Sequence, residues 1–599
     1  MSSSSNYECV NWIEEAISNK YLEYYKFEEF KNIESVDTCD NVGTTYRANW
    51  KNWRQFFGLK NLIYINDNTV KELVNEVKLH RKVDFHDNII NFHGVSEACS
   101  LGAGIKKYLL VVDYADYGSL RKYLGDNFNK LTWKDKFQLA YQLTNVMSYL
   151  HYEGIVHRDL HSGNVLIHRG NIKLADLGLS RKLREAMSIK DSIDLVPYIE
   201  PKRLANQKYP IDEKSDVYSV GVLLWEISSG KPPLNFPQNG PYKLNSTLLA
   251  IKIHQGQREN IVPGTPKDYY DLYQECWDGE PNKRPTMIKV AEELKKIINN
   301  CNLISNIIHN IYLITNLGKG KRFDAYVLNY FNDNQIEPKA LYNWLLNNQP
   351  NSDSRFLLGY LYYYGIGVET SYEKAFNIFT SESDHTLAQY YVGLCYQNGH
   401  GIEKNENLAF RYFEFLAKKN IAMGQVKIGY LYKRIKRHQD AIYWYKIAAE
   451  NGNLMAMYNL AIKYIDDLED YENAIKLLEK SAEGEYLEAI NALGYCHEYG
   501  FGTMINPKKA EELYTKAAKL GYSRSAYNLG DMLIQDIDEN KENLARAIIW
   551  FKKAADLGDD DAHRKLKNLS QNPNVLEYLK NLSEQGDKNS AIMILIGIP

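Results

Sequence analysis

Ile155-Val156-His157-Arg158-Asp159-Leu160-His161-Ser162-Gly163-Asn164-Val165-Leu166 is the most specific string in this chain of 599 residues. It sets a carboxylate five residues ahead of a carboxamide, between short β-branched runs that read as strands or their loops. Twelve residues beyond Asn164, Lys173-Leu174-Ala175-Asp176-Leu177-Gly178 brings a second carboxylate to the end of a similar run. Around these strings, from about residue 118 to 298, a helical pattern dominates. Before them, up to about residue 115, the chain is strand-rich, and residues 8–20 form a short amphipathic helix with Val10, Ile13 and Ile17 on one face. A small β-rich lobe followed by a larger helical lobe is the expectation. Within the first lobe lie Lys60, in Phe56-Phe57-Gly58-Leu59-Lys60-Asn61-Leu62, and Glu76, in the helix-like stretch 70–83. Sixteen residues separate them, a spacing without meaning by itself.

The C-terminal half has a period. Gly359, Gly393, Gly429, Ala461, Gly494 and Gly530 follow one another at intervals of 34, 36, 32, 33 and 36 residues, each inside a segment such as Leu357-Leu358-Gly359-Tyr360-Leu361. A second helix follows each, as in 441–452, 510–521 and 547–558, with paired alanines and a terminal glycine suited to a left-handed C-cap. Two helices per period imply an array of helical hairpins whose small residues let paired helices approach closely. Three first helices run into Gly-x-Gly turns at Gly365, Gly399 and Gly500, while the third and fourth units have shorter turns without them.

Composition narrows the function classes. Hydrophobic residues are 44% and charged residues 25%, so most of the chain packs, and 599 residues need several cores. The 72 basic and 75 acidic side chains nearly cancel, which argues against nucleic acid or an anionic membrane as partner. Seven scattered cysteines without a Cys-x-x-Cys pair fit reduced thiols, and no signal peptide or apolar run of about 18 residues is evident, so a cytoplasmic protein is expected. The turn at Gly318-Lys319-Gly320-Lys321 lacks phosphate-loop spacing and reads as a surface turn.

The first block resembles the protein kinases, specifically the tyrosine-kinase-like, Ser/Thr-directed group, from about residue 30 to 298. The resemblance implies Asp159 as the base for the substrate hydroxyl, Asn164 and Asp176 as Mg²⁺ ligands, and Lys60 as the phosphate cation oriented by Glu76. Asp176 sits in a Leu version of the usual Asp-Phe-Gly triplet. Arg158 joins the catalytic set and could receive a phosphate from Ser180, Ser188 or Ser192 in the segment 176–201. For ATP the resemblance implies Gly43, Thr45, Gly58, Lys60 and Leu166, with Val112 as gatekeeper and the Asp113 to Ala115 backbone facing adenine. Asp216 would brace the catalytic loop, and Arg284 lies in a closing signature. The residues His161-Ser162-Gly163-Asn164 look closer to Ser/Thr-directed loops than to tyrosine-specific ones.

Several positions depart from that family. The glycine-rich loop keeps only Gly43 within residues 36–48 and gains Asp37 and Asp40, which would repel phosphate unless turned away. Thr45 and Gly58 replace the usual valine and alanine of the adenine roof. At about 25 cal/mol per Å², losing some tens of Å² costs on the order of 1 kcal/mol, a few-fold to tenfold in affinity. His161 stands where many Ser/Thr kinases have lysine. Lys202 replaces the glutamate expected to pair with Arg284, so the anchoring there must differ.

The second block resembles Sel1-like repeats, about six of them, relatives of the tetratricopeptide repeat. The expected fold is an α+β bilobal protein kinase followed by an all-α Sel1/TPR-like helical-hairpin solenoid. Boundaries fall at 1–29 (an extension with a short helix), 30–298 (the kinase-like domain), 299–350 (a helical linker), 351–570 (the repeats) and 571–599 (a C-terminal cap or tail). Such fusions look like an expanded fungal signalling family. The expected activity is ATP- and Mg²⁺-dependent phosphorylation of a protein substrate, with a protein partner on the solenoid. The alternative is a pseudokinase scaffold, favoured by the altered glycine loop and opposed by the retention of Lys60, Glu76, Asp159, Asn164 and Asp176.

Overall fold

The computed structural model describes residues 3–36, 43–53, 55–62, 68–83, 86–98, 107–177, 193–233, 246–318, 323–535 and 542–572, with 575, 577 and 580. The chain divides into two compact units, Met1–Ile304 with Leu345–Ser354, and Ser305–Trp344 with Arg355–Pro599.

The first unit opens on helix α1 (Ser3–Ser18), which starts earlier than the spacing of its apolar residues implied. Its Ile13 and Ala16 are buried with Val74 and Val77 of helix α2 (Asn68–Val83) and with Val95, Tyr108 and Leu110 of a sheet. That sheet comprises β1 (Tyr24–Tyr25), β2 (Phe30–Val36), β3 (Gly43–Trp50), β4 (Phe56–Leu62), β5 (Phe92–Ala98) and β6 (Lys107–Asp113), in the order β1-β5-β6-β4-β3-β2. β1 pairs with β5 in parallel, and the other pairs are antiparallel. The period of two sends Phe57 and Leu59 into a core with Phe30, Ala48, Leu109 and Val111, and leaves Gly58 and Lys60 on the other face. Register then sets Thr45 opposite Lys60 and Gly58 opposite Val112, gathering the expected nucleotide-facing residues on neighbouring strands.

The lower lobe is built on helices α3 (Leu120–Asn127) and α4 (Trp133–Tyr152) and the hairpin of β7 (Val165–His168) with β8 (Asn171–Leu174). α4 starts sharply because Thr132 and Asp135 form a capping box. The helix Glu213–Ser229 is apolar around most of its circumference, and all of its residues from Ser215 to Ser229 are buried. Gly221 allows the crossing of another chain segment there, since a Cβ would sit 2.9 Å from the Trp277 nitrogen.

The second unit contains the repeats as helix pairs from Ser352–Tyr364 and Tyr372–Ser381 through Ser523–Gln535 and Glu542–Asp556. The small residue of each period has one recurrent cause. A Cβ on Gly359, Gly393, Gly429, Gly494 or Gly530 would lie 2.6 to 2.9 Å from the ring of Phe379, Phe413, Tyr445, Tyr514 or Phe551 in the paired helix. In the fourth unit the small residue is Ala461, and Leu478 shares its core where the other units use a ring. The Gly-x-Gly turns divide two tasks between their glycines. Gly399 adopts φ +77° as the C-cap, while a Cβ on Gly401 would meet the Tyr372 carbonyl of the preceding unit at 2.2 Å. In the two units with short turns, Lys436 (φ 60°) and Glu469 (φ 52°) take the left-handed conformation instead.

Candidate active site

The catalytic-loop candidates are held from below by a buried carboxylate. Asp216 accepts from the His157 and Arg158 amides, each at 2.8 Å, and from His151 Nε2 at 3.0 Å. Arg158 is thereby fixed at φ +70°, a conformation that costs a non-glycine residue about 1 kcal/mol or more. Its guanidinium is exposed and makes no ion pair among the described residues. The next residue, Asp159, lies beside Asn164, whose Nδ2 donates to the Asp159 carbonyl at 2.8 Å and to its Oδ2 at 3.2 Å. This commits the nitrogen of the carboxamide and leaves its oxygen available to a cation. His161 is nearly buried, with Nε2 3.8 Å from Asp159 Oδ2 and Nδ1 accepting from the Gly163 amide at 3.1 Å.

Asp176 also has a left-handed backbone, at φ +64°. Its carboxylate forms an ion pair with Lys60 from β4. Burial pushes the Asp176 carboxyl up, but Lys60, His157 and His80 together outweigh it and hold the acid below its ordinary value. The pair of Lys60 with Glu76 anticipated from sequence is not formed. Glu76 is fully buried on α2, where Oε1 accepts from the Leu177 amide at 2.9 Å and lies 3.2 Å from His80 Nε2, while Oε2 has no partner.

The roof residues gain a physical reason. A Cβ on Gly58 would lie 3.1 Å from Val112 Cγ2 and 3.3 Å from the Asp113 carbonyl, so glycine lets β4 and β6 approach closely at Val112. The thinner roof inferred from sequence is therefore also a tighter sheet. Asp113 is tied down by His93 Nε2 and Asn91 Nδ2, each at 2.7 Å. Burial raises its carboxyl, yet these two partners bring it below the ordinary carboxylate value. Ala115 is buried, and Thr45, Val112 and Leu166 are partly exposed. Gly43 opens β3. The six residues Asp37 to Val42, and Ser180, Ser188, Ser192 and Lys319 to Lys321, lie outside the described residues.

The Arg284 anchor uses a residue that the sequence reading passed over. Glu200, buried two positions before Lys202, accepts from both terminal nitrogens of Arg284, one of them at 3.1 Å. Lys202 pairs at the surface with Glu280 at 2.6 Å. The sequence does carry a signal for this exchange, because Glu200-Pro201-Lys202 holds a carboxylate and a cation on either side of the proline. A second cluster also went unrecognised. Tyr198 Oη donates to Glu226 at 2.5 Å and lies 3.1 Å from Ser162 Oγ, and Arg121 donates to both Ser162 and Tyr198 at 3.2 Å.

Residues 40–294 match the family model described as protein tyrosine and serine/threonine kinase, and six consecutive Sel1 repeats match between 352 and 559. Two relatives from Dictyostelium discoideum, each described as a probable LIM domain-containing serine/threonine-protein kinase, are 31% identical over 250 residues. The alignments cover 41% of this chain and 36% or 24% of the relative. Cyclic GMP-binding protein C of the same organism is 31% identical over 220 residues, 35% of this chain and 8% of its own length. The chain thus spans about a third or less of the curated relatives it matches. The lobes and the loop at Asp159 are those of a protein kinase domain homologous to Ser/Thr kinases. The chain carries that kinase domain followed by six Sel1 repeats. Among the described residues no helix is long and apolar enough to cross a membrane.

Proposed function

We propose that this protein is an ATP-dependent kinase that phosphorylates Ser or Thr hydroxyls of a protein substrate, with the Sel1 repeats docking a protein partner. The observation that carries the reading is the pairing of Asp159 with Asn164 beside an ionised Asp176 that already engages Lys60. Their chemistry fits the implied ligands. Asn164 and Asp176 present the oxygen donors that Mg²⁺ takes, and Lys60 presents the cation suited to phosphate. Bound Mg²⁺ and ATP would supply the transferable phosphoryl group. Asp159 then takes the proton of the substrate hydroxyl, while Asn164 Nδ2 fixes the orientation of that carboxylate. Arg158 is the proposed receiver of an activating phosphate.

The Ser/Thr preference is supported by the two relatives described as probable serine/threonine-protein kinases. The proposed division of the chain is 1–29, 30–298, 299–350, 351–570 and 571–599. A cytoplasmic role in signal transduction belongs to the same proposal and is supported by free thiols such as Cys395, whose pKa burial raises to about 12. The scaffold reading draws on a different observation, the absence of the Lys60 pair with Glu76. The test is incubation of the full chain with radiolabelled ATP and a generic protein substrate, followed by phosphoamino-acid analysis. Mg²⁺-dependent phosphoserine or phosphothreonine that Asp159→Asn and Lys60→Ala both abolish is expected. Phosphotyrosine would overturn the specificity, and no incorporation by the wild-type chain would favour the scaffold.

A further inference from the structure

We propose that the fourth and fifth Sel1 repeats dock a basic partner segment, taking its arginine side chains over the rings of Tyr471, Tyr495 and Phe501. This rests on the reading of the repeats as a docking module and not on the kinase reading. Tyr471 opens the second helix of the fourth repeat (Tyr471–Glu483), and Tyr495 lies in the first helix of the fifth (Leu487–Tyr499). Phe501 is the central residue of the Gly500-Phe501-Gly502 turn that follows. Gly500 ends the helix at φ +80°, and at Gly502 the chain closes on the preceding unit, where a Cβ would lie 2.8 Å from Tyr471 Cβ. The turn thereby stacks the Phe501 ring on both tyrosines, 6.2 Å from Tyr471 at 29° and 5.9 Å from Tyr495 at 7°. Yet Tyr495 is 46% and Phe501 38% exposed. A single exposed ring such as Tyr430 has no such meaning, whereas stacked rings held at the surface make a platform for a flat side chain.

Charge beside the rings selects the occupant. The fourth repeat, residues 454–486, holds eight acidic and three basic side chains, a net −5 in a chain whose total is −3. Asp467 is already engaged by Lys463 at 2.9 Å and His438 at 3.1 Å, and Glu472 by Lys476 at 2.6 Å. Asp466, Glu469 and Asp470, which lead into Tyr471, make no ion pair among the described residues. The repeats already show what rings and carboxylates together accept. Arg437 lies 4.9 Å over the Tyr432 ring and 2.7 Å from Asp440, and Arg524 lies 4.8 Å over Tyr527 and 2.6 Å from Asp561. A planar guanidinium can stack on a ring and bond to a carboxylate at once, which an ammonium does less well. The platform at Tyr471, Tyr495 and Phe501 has both components, and among the described residues no cation lies over its rings.

The test is fluorescence-anisotropy titration of the full chain with a labelled peptide of alternating arginine and glycine. Lysine–glycine, glutamate–glycine and proline-rich peptides are titrated beside it. The arginine peptide should bind more tightly than the lysine peptide, and the glutamate peptide should not bind. Tyr495→Ala and Phe501→Ala leave the net charge unchanged and should each weaken the arginine peptide about two- to fivefold, and together about tenfold. Phe501→Tyr keeps the ring and should bind as the wild type does, which separates loss of the platform from loss of the fold. Asp466→Asn with Glu469→Gln should weaken binding about threefold and flatten its salt dependence. No binding of the arginine peptide to the wild-type chain overturns the proposal. Affinity unchanged in the ring variants also overturns it, leaving only diffuse charge attraction. Binding of the proline-rich peptide in preference, lost in the ring variants, would keep the docking reading and overturn the basic occupant.

Discussion

Asp216 in the lower lobe and Glu76 in the upper lobe are both buried carboxylates that hold a functional backbone segment, yet they are completed to different degrees. Asp216 takes three donors over its two oxygens and fixes the successive amides of His157 and Arg158. Glu76 fixes the amide of Leu177, next to the left-handed Asp176, through Oε1 alone, with His80 Nε2 3.2 Å from that same oxygen and Oε2 buried without a partner. The Asp216 carboxylate therefore reaches its bonding minimum within the protein alone, although His157 Nδ1 is buried without a partner. The upper lobe keeps a buried acceptor in reserve, and the cation suited to it is spent on Asp176. A satisfied network makes a rigid platform for the base, and an unsatisfied one marks the part that is free to rearrange.

The largest effect expected on this contrast is catalytic. Asp159→Asn removes the base while keeping the partner of Asn164, and kcat should fall about a thousandfold, read by steady-state phosphorylation. Next is the lower-lobe anchor. Arg284→Met strands the buried Glu200 carboxylate and should cost about 3–5 kcal/mol in denaturation experiments, whereas Lys202→Met, at the exposed pair with Glu280, should leave the denaturation midpoint essentially unchanged. Equal effects would mean that the buried Arg284 pair anchors the lobe no more firmly than the surface pair.

How much of this was legible follows from how local each cause is. The loop from Ile155 to Leu166 and the repeat period rest on short spacings, and both can be read directly from the chain. The exchange of Glu200 for Lys202 depends on two residues flanking a proline and was visible only as a departure at one of them. The true partner of Lys60 was not legible, since β4, α2 and the Asp176 loop meet through tertiary contacts that no spacing encodes. From the sequence alone Gly58 is only a loss of roof. Its cause, the approach of Val112 at 3.1 Å to a would-be Cβ, appears only when β6 is set beside β4.

Smaller effects test the same logic of satisfied and unsatisfied sites. Gly429→Ala would drive a Cβ to 2.7 Å from the Tyr445 ring and should destabilise the repeats by about 1–3 kcal/mol, while Ala461→Gly, opposite Leu478, should cost about 1 kcal/mol. Thermal melts of the two variants check both values. Lys136 is the lower lobe's own exception, a buried amine whose pKa desolvation lowers to about 8. Its proton leaves the folded state earlier than the unfolded state, so the penalty is full below about pH 8 and is relieved up to the unfolded value near 10.5. The rings of Phe128 and Trp133, at 3.8 and 4.9 Å, return part of it. Lys136→Met should therefore stabilise the protein by about 1 kcal/mol at pH 7, with the difference gone near pH 10, as followed by denaturation at the two pH values.

Calorimetric titration of the full chain with ATP, with and without Mg²⁺, bears most directly on whether Lys60, Asn164 and Asp176 form a working nucleotide site despite the altered glycine loop. Saturable binding that requires Mg²⁺ and disappears in Lys60→Ala is the predicted result. No heat of binding at millimolar ATP in the wild-type chain would contradict it.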